Sequence, residues 1–388
     1  MYRTAKGMLT RLLAAAGVAR ASSLERERRR AAEVRSAERA RANREIGVAN
    51  NRVTQLTDRL RATQERLAAE QAESGALRQA VAALRGTEAA MARRPEALRR
   101  LKLAQLAIAA KSARRAGITR AAARRAAHLA SISADYADAT ARWRRGDAPF
   151  EIGRVAVARL QWSVPAGAAD ARSRRILQHA ELPLDDLAAV REFAVGGVML
   201  DVGAHVGGAA IPRVLLGDCA RVQAAEPDSA AYLCLVGNTL DNGCEGRVLP
   251  QRLAIAGSAG PGTVRRAGGG VEEVPFVTVD AWMTRLRMRP RTIRFVRVAL
   301  QDWNMDLDRG AVLLLKHRHV VWQIEIPSDV MQASGPKVRR TCERLAAHFT
   351  HVQPLGGVLH EPRPASEAVE IAGAGGGFLL FNMHGDAR

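Results

Sequence analysis

Several features that mark common classes of protein are missing from this sequence of 388 residues. Aromatic residues make up only 4% of the chain, and no cysteine lies in a C-x-x-C pair or near histidines at zinc-finger spacing. The four cysteines are Cys219, Cys234, Cys244 and Cys342. This pattern indicates neither a disulfide framework nor a structural zinc site. No apolar run approaches the roughly 20 residues that a membrane span requires, so a soluble, cytoplasmic protein with reduced thiols is expected.

Negative charge is scarce in the first part of the chain. Residues 1–150 contain 32 Lys+Arg and 14 Asp+Glu, a net charge of +18, whereas residues 151–388 contain 27 and 25, a net charge of +2. Such an excess attracts nucleic acid, anionic lipid or acidic glycan through a salt-sensitive, sequence-independent force. Because a GC-rich genome also favours arginine without selection for binding, the charge alone does not name a partner.

The apolar residues of this basic part recur at spacings of three and four. They include Ile46, Ala49, Val53, Leu56, Leu60, Leu67, Leu77, Val81 and Leu84. This heptad pattern predicts an α-helical arm over residues 1–150, with a coiled-coil segment at about 24–86 and further helices at about 96–113 and 119–145. Two functions remain open for the arm: a spacer that forms a homodimer, or a binding surface for nucleic acid or an anionic surface. The scarcity of aromatics that could stack on bases favours the spacer.

Beyond Pro149 the sequence alternates between short β-branched runs and helical stretches. This pattern predicts an α/β domain over residues 151–388, with a Rossmann-like, mostly parallel sheet and flanking helices. The buried-strand run at 198–202 leads into a turn that reads G-A-H-V-G-G at 203–208. Glycines let a ligand approach the backbone closely, and the N-terminus of the following helix offers free N–H groups. The strand, turn and helix therefore predict a site for a nucleotide-like ligand.

An acidic residue follows the next predicted strand, at 221–225. Glu226 lies about 23 residues after Gly203, where the corresponding acid of dinucleotide-binding folds accepts the ribose hydroxyls. The alternative is that Glu226 supplies only a favourable charge at the N-terminus of a helix. Asp201 precedes the first glycine, unlike the usual G-x-G-x-x-G turn of dehydrogenases, so the pattern fits an adenosylmethionine site better.

Taken together, these motifs resemble the FkbM-type family of class I methyltransferases. Its members have a D-x-G-A-N-x-G turn, an E-P element, a helix that bears asparagine, a T-x-D element and a K-x-D-V-(E/Q)-G stretch. The matching residues here are Asp201 to Gly207, Glu226-Pro227, Asn238 with Asn242-Gly243, Thr278-Val279-Asp280, and Arg297 to Trp303. The resemblance runs from about Val198 to Trp303 and does not include the basic arm.

The resemblance implies a fold, a cofactor and a reaction. It implies a Rossmann-like sheet that binds S-adenosylmethionine and transfers its methyl group to a hydroxyl of a saccharide, glycan or secondary metabolite, so that the partner is a small-molecule or glycan acceptor. By similarity, Asp201, Gly203, Ala204 and Gly207 would line the cofactor pocket and Glu226 would hold the ribose.

Three departures from the family pattern affect the predicted chemistry. His205 replaces the asparagine of the turn, Ala299 replaces the aspartate of the K-x-D element, and Asp302 replaces the glycine three residues later. An alanine side chain neither accepts a hydrogen bond nor takes a proton, so any role of that aspartate is absent here. His205, Asp302 and Glu325, which ends a predicted strand, are the candidates for a catalytic base.

Two other functions remain open. The domain could be a catalytically degenerate scaffold that assembles with partners through the coiled-coil arm, as Ala299 suggests. It could also be a nucleic-acid methyltransferase anchored by the arm. The basic run at 316–319, K-H-R-H, is read as an exposed loop and not as a metal site, because adjacent ligands on a loop lack fixed geometry.

Overall fold

The computed structural model describes residues 95–167, 171–180, 196–266, 269–299, 306–355, 361–373 and 376–383, together with Arg30, Gln55 and Leu182. Apart from two of these single residues, the predicted coiled-coil segment at 24–86 lies outside the described part of the chain and stays a prediction. The chain divides into two compact units, Met1–Glu73 and Ser74–Arg388. Every helix and strand named below belongs to the second unit.

Eleven α-helices are defined within the described residues. They are α1 (Pro95–Ala116), α2 (Arg120–Ile132), α3 (Ala134–Arg145), α4 (Ala171–His179), α5 (Ala210–Leu216), α6 (Ser229–Asp241), α7 (Val279–Arg285), α8 (Leu307–Gly310), α9 (Val312–Leu315), α10 (Ser328–Ala346) and α11 (Ala368–Gly373). Short 3₁₀ helices occupy Pro290–Thr292 and Ala365–Glu367. None of these helices is long and apolar enough to cross a membrane.

The same residues contain thirteen strands in three sheets. The strands are β1 (Ile152–Val157), β2 (Leu160–Pro165), β3 (Val198–Val202), β4 (Arg221–Ala225), β5 (Val248–Gln251), β6 (Ala254–Ile255), β7 (Gly260–Arg265), β8 (Val271–Val277), β9 (Ile293–Ala299), β10 (Val321–Ile326), β11 (His351–Leu355), β12 (Arg363–Pro364) and β13 (Gly376–Phe381). Strands β1 and β2 form a hairpin, and β6, β8 and β7 form a small three-stranded sheet.

The large sheet has the order β12-β11-β13-β10-β9-β3-β4-β5. Strands β10, β9, β3, β4 and β5 are parallel, whereas β13 runs antiparallel to its neighbours β10 and β11. The prediction of an α/β domain with a Rossmann-like, mostly parallel sheet is therefore confirmed. From β3 the chain builds the sheet outward through β4 and β5, and it returns to the other side of β3 with β9 and β10. Ligands of such sheets bind at this switch point, outside the carboxyl ends of the strands.

Both faces of the sheet are buried, because alternate residues of each strand point to opposite sides. Leu200 and Val202 of β3 pack with Trp322 in the core on one face. Met199 packs on the other face, in a core that includes Trp162 of the hairpin. The two cores explain why the parallel strands read as continuous apolar runs in the sequence.

The helices before the first strand are part of this domain, which differs from the predicted boundary at residue 150. Leu106 of α1 is fully buried in the core that contains Met199, and Leu129 of α2 is buried against α6. Two glycines permit the contact, because an added Cβ would collide with Trp143 at Gly237 and with the carbonyl of Ala122 at Gly246. The compact unit accordingly begins near Ser74.

The helix predicted over 119–145 is divided into α2 and α3. The break is at Ser133, whose backbone is extended and whose hydroxyl accepts a hydrogen bond from the N–H of Tyr136. Serine is a favoured N-cap because its side chain competes for backbone N–H groups. The break allows both helices to bury apolar residues on the same domain.

Candidate functional site

The turn between β3 and α5 has the backbone conformation that the glycine pattern predicted. Gly203 and Gly207 have φ angles of 75° and 90°, and His205 between them has a φ angle of 53°. Asparagine and histidine adopt this left-handed conformation more readily than most other side chains. His205 can therefore replace the family's asparagine without changing the path of the turn. The N–H groups of Gly203 and Ala204 both donate to the carbonyl of Ala225, each at 3.0 Å, which ties the turn to the end of β4.

Glu226 joins the ends of β3 and β4. Its Oε2 accepts a hydrogen bond from the N–H of His205 at 2.6 Å, and its Oε1 accepts one from the N–H of Asp228 at 3.0 Å. Burial raises the pKa of Glu226 to about 7, although His205 and the two backbone N–H groups oppose the shift. The structure thus brings His205 and Glu226 together at the carboxyl ends of the neighbouring strands β3 and β4, beside the switch point, with a carboxyl group that changes its charge near neutral pH.

The acid at the N-terminus of α6 is Asp228, and not Glu226 as the alternative interpretation had it. Asp228 is the N-cap of α6, and its Oδ1 accepts hydrogen bonds from the N–H groups of Ala230 at 3.0 Å and Ala231 at 2.8 Å. A cap of this kind stabilises a helix by about 1 kcal/mol. Because Asp228 satisfies the helix, Glu226 is left to contact the glycine turn.

Two asparagines of α6 hold the hairpin against the turn. Asn238 accepts from the N–H of Ser163 at 2.7 Å and donates to its carbonyl at 2.9 Å, and it also donates to the carbonyl of Val206 at 2.9 Å. One helical turn later, Asn242 makes the same pair of bonds with the backbone of Gln161, at 3.0 and 2.8 Å. The two amides act as a neighbouring strand for the edge of β2, and Asn238 links that edge to the glycine turn.

The ring of His205 lies against α4. Its Nε2 is 3.1 Å from the hydroxyl oxygen of Ser173, and both side chains are buried. Ser173 was not among the predicted site residues, because nothing in the local sequence indicates that α4 approaches the turn. The contact fixes the ring on the side of the turn that α4 covers.

A buried ion-pair network joins the ends of β3, β9 and β10. Arg297 donates to both carboxylate oxygens of Glu325, at 2.6 and 2.7 Å, and to Oδ1 of Asp201 at 2.8 Å. Gln323 donates to Oε1 of Glu325 at 2.8 Å and accepts from Arg213 of α5 at 3.0 Å. Burial alone would lower the pKa of Arg297, but the two carboxylates outweigh it and raise that pKa. Arg297 therefore engages one oxygen of Asp201 and both oxygens of Glu325 in this half of the sheet edge.

The second oxygen of Asp201 differs from the first. Asp201 is fully buried, and within the described part of the chain its Oδ2 accepts no hydrogen bond. Buried carboxylate oxygens normally have a partner, because an unsatisfied one costs about 1–3 kcal/mol or more. An orphaned acceptor directly before the glycine turn therefore matches a site where a ligand donates.

The remaining motif residues have distinct positions. Ala299 ends β9 with 2% of its surface exposed, and Asp302 lies outside the described residues. Thr278 caps α7, accepting from the N–H of Ala281 at 3.1 Å, and Asp280 accepts from the N–H of Leu313 at 2.8 Å at the start of α9. The T-x-D element is therefore a pair of helix caps.

Among the predicted residues, one group converges and another is engaged elsewhere. Gly203 and Ala204 bond to Ala225 at the end of β4, and the N–H of His205 bonds to Glu226. Gly207 bonds within the turn to Ala204, and Asp201, which precedes the turn, bonds to Arg297. Glu325 lies at the end of β10 as expected, but Arg297 holds both of its oxygens. No cluster of potential metal ligands occurs in the part of the chain that the structure covers. The arrangement can bind a polar ligand between a glycine turn and an acid.

No family model matches the sequence, and no curated protein matches it significantly. Several solved structures are similar over about half of the chain. A putative transferase from Pyrococcus horikoshii has 12% identity and a TM-score of 0.30, over 53% of this chain and 64% of its own. P. horikoshii TYW2 in complex with MeSAdo has 13% identity and a TM-score of 0.30, over 53% and 63%. A precorrin-6y C5,15-methyltransferase from Geobacter metallireducens has 10% identity and a TM-score of 0.28, over 50% and 87%. The match thus spans less than two thirds of the first two structures.

Proposed function

We propose that this domain binds S-adenosylmethionine at the carboxyl ends of β3 and β4 and transfers its methyl group to a hydroxyl of a small-molecule or glycan acceptor. One observation carries the proposal: Glu226, at the end of β4, bonds to the N–H of His205 in the glycine turn after β3. The acid and the turn meet at the carboxyl ends of β3 and β4, beside the switch point of a doubly wound sheet, and nucleotide-like ligands bind at this edge of such sheets. The resemblance to FkbM-type methyltransferases supplies the cofactor and the hydroxyl acceptor.

The polar groups present fit the cofactor. A carboxylate has about four lone-pair positions, so Glu226 can accept from the ribose hydroxyls while it retains its two backbone N–H donors. The orphaned Oδ2 of Asp201 offers an acceptor for the cationic amino group of the methionine part. Gly203 and Gly207 have positive φ angles, which glycine adopts readily, and the side chains of Leu235 and Ile211 pack against Gly207.

When bound, S-adenosylmethionine supplies a methyl group on a sulfonium that is a good leaving group. The protein then has to align the acceptor oxygen with that methyl and exclude water. A base is useful because an alcohol is weakly acidic. Of the candidates, Glu325 is occupied by Arg297, and the His205 ring, beside Ser173, is the imidazole nearest to the turn. Asp302, which follows β9, completes the set.

The second candidate function is a degenerate scaffold that has kept the fold without methyl transfer. Two observations favour it: Ala299 offers no carboxylate at the end of β9, and Arg297 forms ion pairs with both Asp201 and Glu325. Under this alternative the predicted homodimeric coiled-coil arm would mediate assembly. Both candidate functions require the same fold, but only the first requires catalytic turnover.

Calorimetric titration of S-adenosylhomocysteine into the full chain tests the cofactor site. The parent is expected to bind, and Glu226→Gln to bind about 10–100-fold more weakly, because hydrogen bonds to a charged acceptor contribute about 1.5–3 kcal/mol. Glu273→Gln is the matched control, since Glu273 is an exposed acid on β8. Equal binding by both variants would refute the ribose assignment.

Release of S-adenosylhomocysteine from S-adenosylmethionine in the presence of polyhydroxylated acceptors separates the two candidates. Acceptor-dependent release by the parent supports the methyltransferase. Tight binding without release, together with gain of release in Ala299→Asp, supports a scaffold that lost activity through that position. A parent that binds no cofactor leaves only the scaffold.

A further inference from the structure

The amino ends of the parallel strands carry a row of cations, at the sheet edge opposite to the glycine turn. The row follows the strand order β5, β4, β3, β9 and β10. Its residues, called here the basic rim, are Arg247, Arg221, Arg294, Arg291, Arg289, Lys316 and Arg318. Arg294 is the second residue of β9, and each of the others lies at, or within five residues before, the first residue of β5, β4, β9 or β10. The topology therefore assembles into one edge cations that are scattered over about 100 positions of the sequence.

The rim is continuous across neighbouring strands. The N–H of Val222 donates to the carbonyl of Arg247 at 2.8 Å, which places Arg221 and Arg247 side by side. Across β3, the side chain of Arg294 covers Gly197 so closely that an added Cβ there would collide with it. Glycine at the start of β3 thus allows the arginine of the next strand to close the gap in the row.

Helix α2 extends the rim beyond β5. The Nε of Arg125 donates to the carbonyl of Gly246 at 2.7 Å, next to Arg247. Burial lowers the pKa of Arg125, and the nearby charges of Arg221 and Arg247 lower it further. Arg124 is exposed one residue earlier on the same helix. Guanidinium groups are therefore crowded at this end of the rim.

Within the described residues, the segments that lead into β9 and β10 supply no acid to the arginines beside them. Residues 286–294 and 315–320 contain no Asp or Glu. Near β5, Glu245 pairs with Arg144 at 3.6 Å, and Asp218 before β4 is 1% exposed. Within the described ranges, Arg289, Arg291 and Arg294 form no ion pair and are exposed. Such unneutralised like charges repel one another, so a bound polyanion would relieve them.

We propose that the basic rim binds the phosphate backbone of nucleic acid. Five strands at about 4.8 Å spacing give an edge of about 19 Å, and one nucleic-acid strand rises about 3.4 Å per phosphate, so about six phosphates lie along it. Nearly all of the cations are arginines, whose guanidinium forks match phosphate oxygens. Contacts to phosphate read no base edge, so the binding is expected to be independent of sequence.

A nucleic acid suits this edge better than a membrane surface. The apolar face of α2, which includes Ala122, Ala126 and Leu129, is buried in the domain, so the helix offers no apolar stripe to a bilayer. The rim is also at the opposite sheet edge from Glu226, so its occupation leaves the proposed cofactor site accessible. The proposal stands independently of the proposed methyltransferase function.

The test compares two triple variants of the full chain with the same change of net charge. The rim variant is Arg289→Gln, Arg291→Gln and Lys316→Gln, and the control is Arg265→Gln, Arg339→Gln and Arg340→Gln, all at exposed positions. Binding of a fluorescein-labelled DNA duplex of about 20 base pairs is measured by anisotropy between about 50 and 200 mM salt. Circular dichroism melting shows that both variants fold, and vesicles of phosphatidylserine are titrated in parallel.

The rim variant is expected to bind at least about tenfold more weakly at low salt. The slope of log affinity against log salt should become shallower by about 2.7, which is about 0.9 for each of three lost phosphate contacts. The control should lose less than one slope unit. The proposal is overturned if both variants lose affinity equally, if the parent does not bind the duplex at low salt, or if only the vesicles bind.

Discussion

The two halves of the sheet's carboxyl edge use their polar residues in different ways. At the ends of β3 and β4, Glu226 bonds to backbone N–H groups of the turn and of the next helix. At the ends of β9 and β10, Arg297 and Glu325 bond to each other. Acceptors directed at backbone groups shape a cradle and keep lone pairs for a ligand. Charged side chains that bond to each other, as Arg297 and Glu325 do, have few hydrogen-bonding positions left for a ligand.

This difference separates binding from chemistry in the proposed site. The half that corresponds to cofactor binding retains its glycines and its acid. The half that would act on the acceptor under our proposal has Ala299 where FkbM-type methyltransferases have aspartate, and an ion pair lies beside it. The following substitutions test whether the two halves are as different as their contacts indicate.

The largest effect is expected from Arg297→Met. It would leave the buried carboxylate of Asp201 and the partly exposed carboxylate of Glu325 without their cation, and removing one partner of a buried ion pair costs about 3–5 kcal/mol. Urea unfolding measures the loss. Arg291→Met, which removes an exposed arginine before the same strand, is the control and should cost under about 0.5 kcal/mol. A loss of unfolding free energy below about 1 kcal/mol for Arg297→Met would show that the ion-pair network contributes little to the stability of the half at β9 and β10.

The second-largest loss of stability is expected from Asn238→Ala, because Asn238 supports the half of the edge at the ends of β3 and β4. The substitution leaves the N–H and carbonyl of Ser163 and the carbonyl of Val206 without their partner, at about 2–3 kcal/mol. Asn242→Ala is matched to it, but its partner Gln161 is exposed and water can replace the amide. We expect about 1 kcal/mol there, and a weaker S-adenosylhomocysteine affinity only for Asn238→Ala.

The pH dependence of cofactor binding distinguishes the halves without a change of fold. With a pKa of about 7 for Glu226, the ionised, better acceptor form rises from about one tenth at pH 6 to about nine tenths at pH 8. The affinity of the parent should rise up to about tenfold across that range, and that of Glu226→Gln should stay flat. Calorimetry in buffers of different ionisation enthalpy should also detect proton release on binding below pH 7.

The carboxyl group of Glu226 affects the free energy of unfolding in the opposite direction: cofactor affinity should rise with pH, whereas its contribution to stability should fall. Its pKa is raised from 4.5 to about 7 in the folded protein, so the folded state retains a proton that the unfolded chain releases. Its contribution to the free energy of unfolding is therefore present below about pH 4.5 and is lost as the pH rises through about 7. A parent whose stability rises over this range relative to Glu226→Gln would contradict the raised pKa.

The smallest effect is expected at Asp228. Asp228→Ala removes the N-cap of α6 and should cost about 1 kcal/mol, whereas Asp228→Asn retains a good cap and should cost little. The negative charge of Asp228 contributes to the raised pKa of Glu226, so both variants should lower the pH midpoint of cofactor binding. An unchanged midpoint in Asp228→Asn would show that burial alone sets the value.

The part of the site that the sequence predicted is local in the chain. The strand at 198–202, the glycine turn and Glu226 depend on short-range features, namely apolar runs, positive φ angles and an acid after a strand. They are where the sequence placed them. The α/β class follows from the same alternation of strands and helices.

The part that the sequence did not predict depends on pairing between distant segments. Glu325 was expected to face an open crevice, but the register of β10 on β9 places its carboxylate beside Arg297. Nothing in either strand alone specifies that register. The sequence contains one local indication that α2 and α3 pack against the domain, which is Gly237 inside α6. Glycine is unfavourable within a helix, and the close approach of Trp143 explains its presence.

The contacts of Gly237 with α3 and of Gly246 with α2 also determine how short a fragment can be and still fold. A chain that starts at residue 150 would lack α1, α2 and α3, and it would expose to solvent the apolar surfaces of α5 and α6 that these helices cover. Such a fragment is expected to aggregate, since large exposed apolar patches promote association. Recombinant material for the α/β domain should therefore begin ahead of Pro95, and a failure of shorter fragments to bind cofactor would reflect loss of folding.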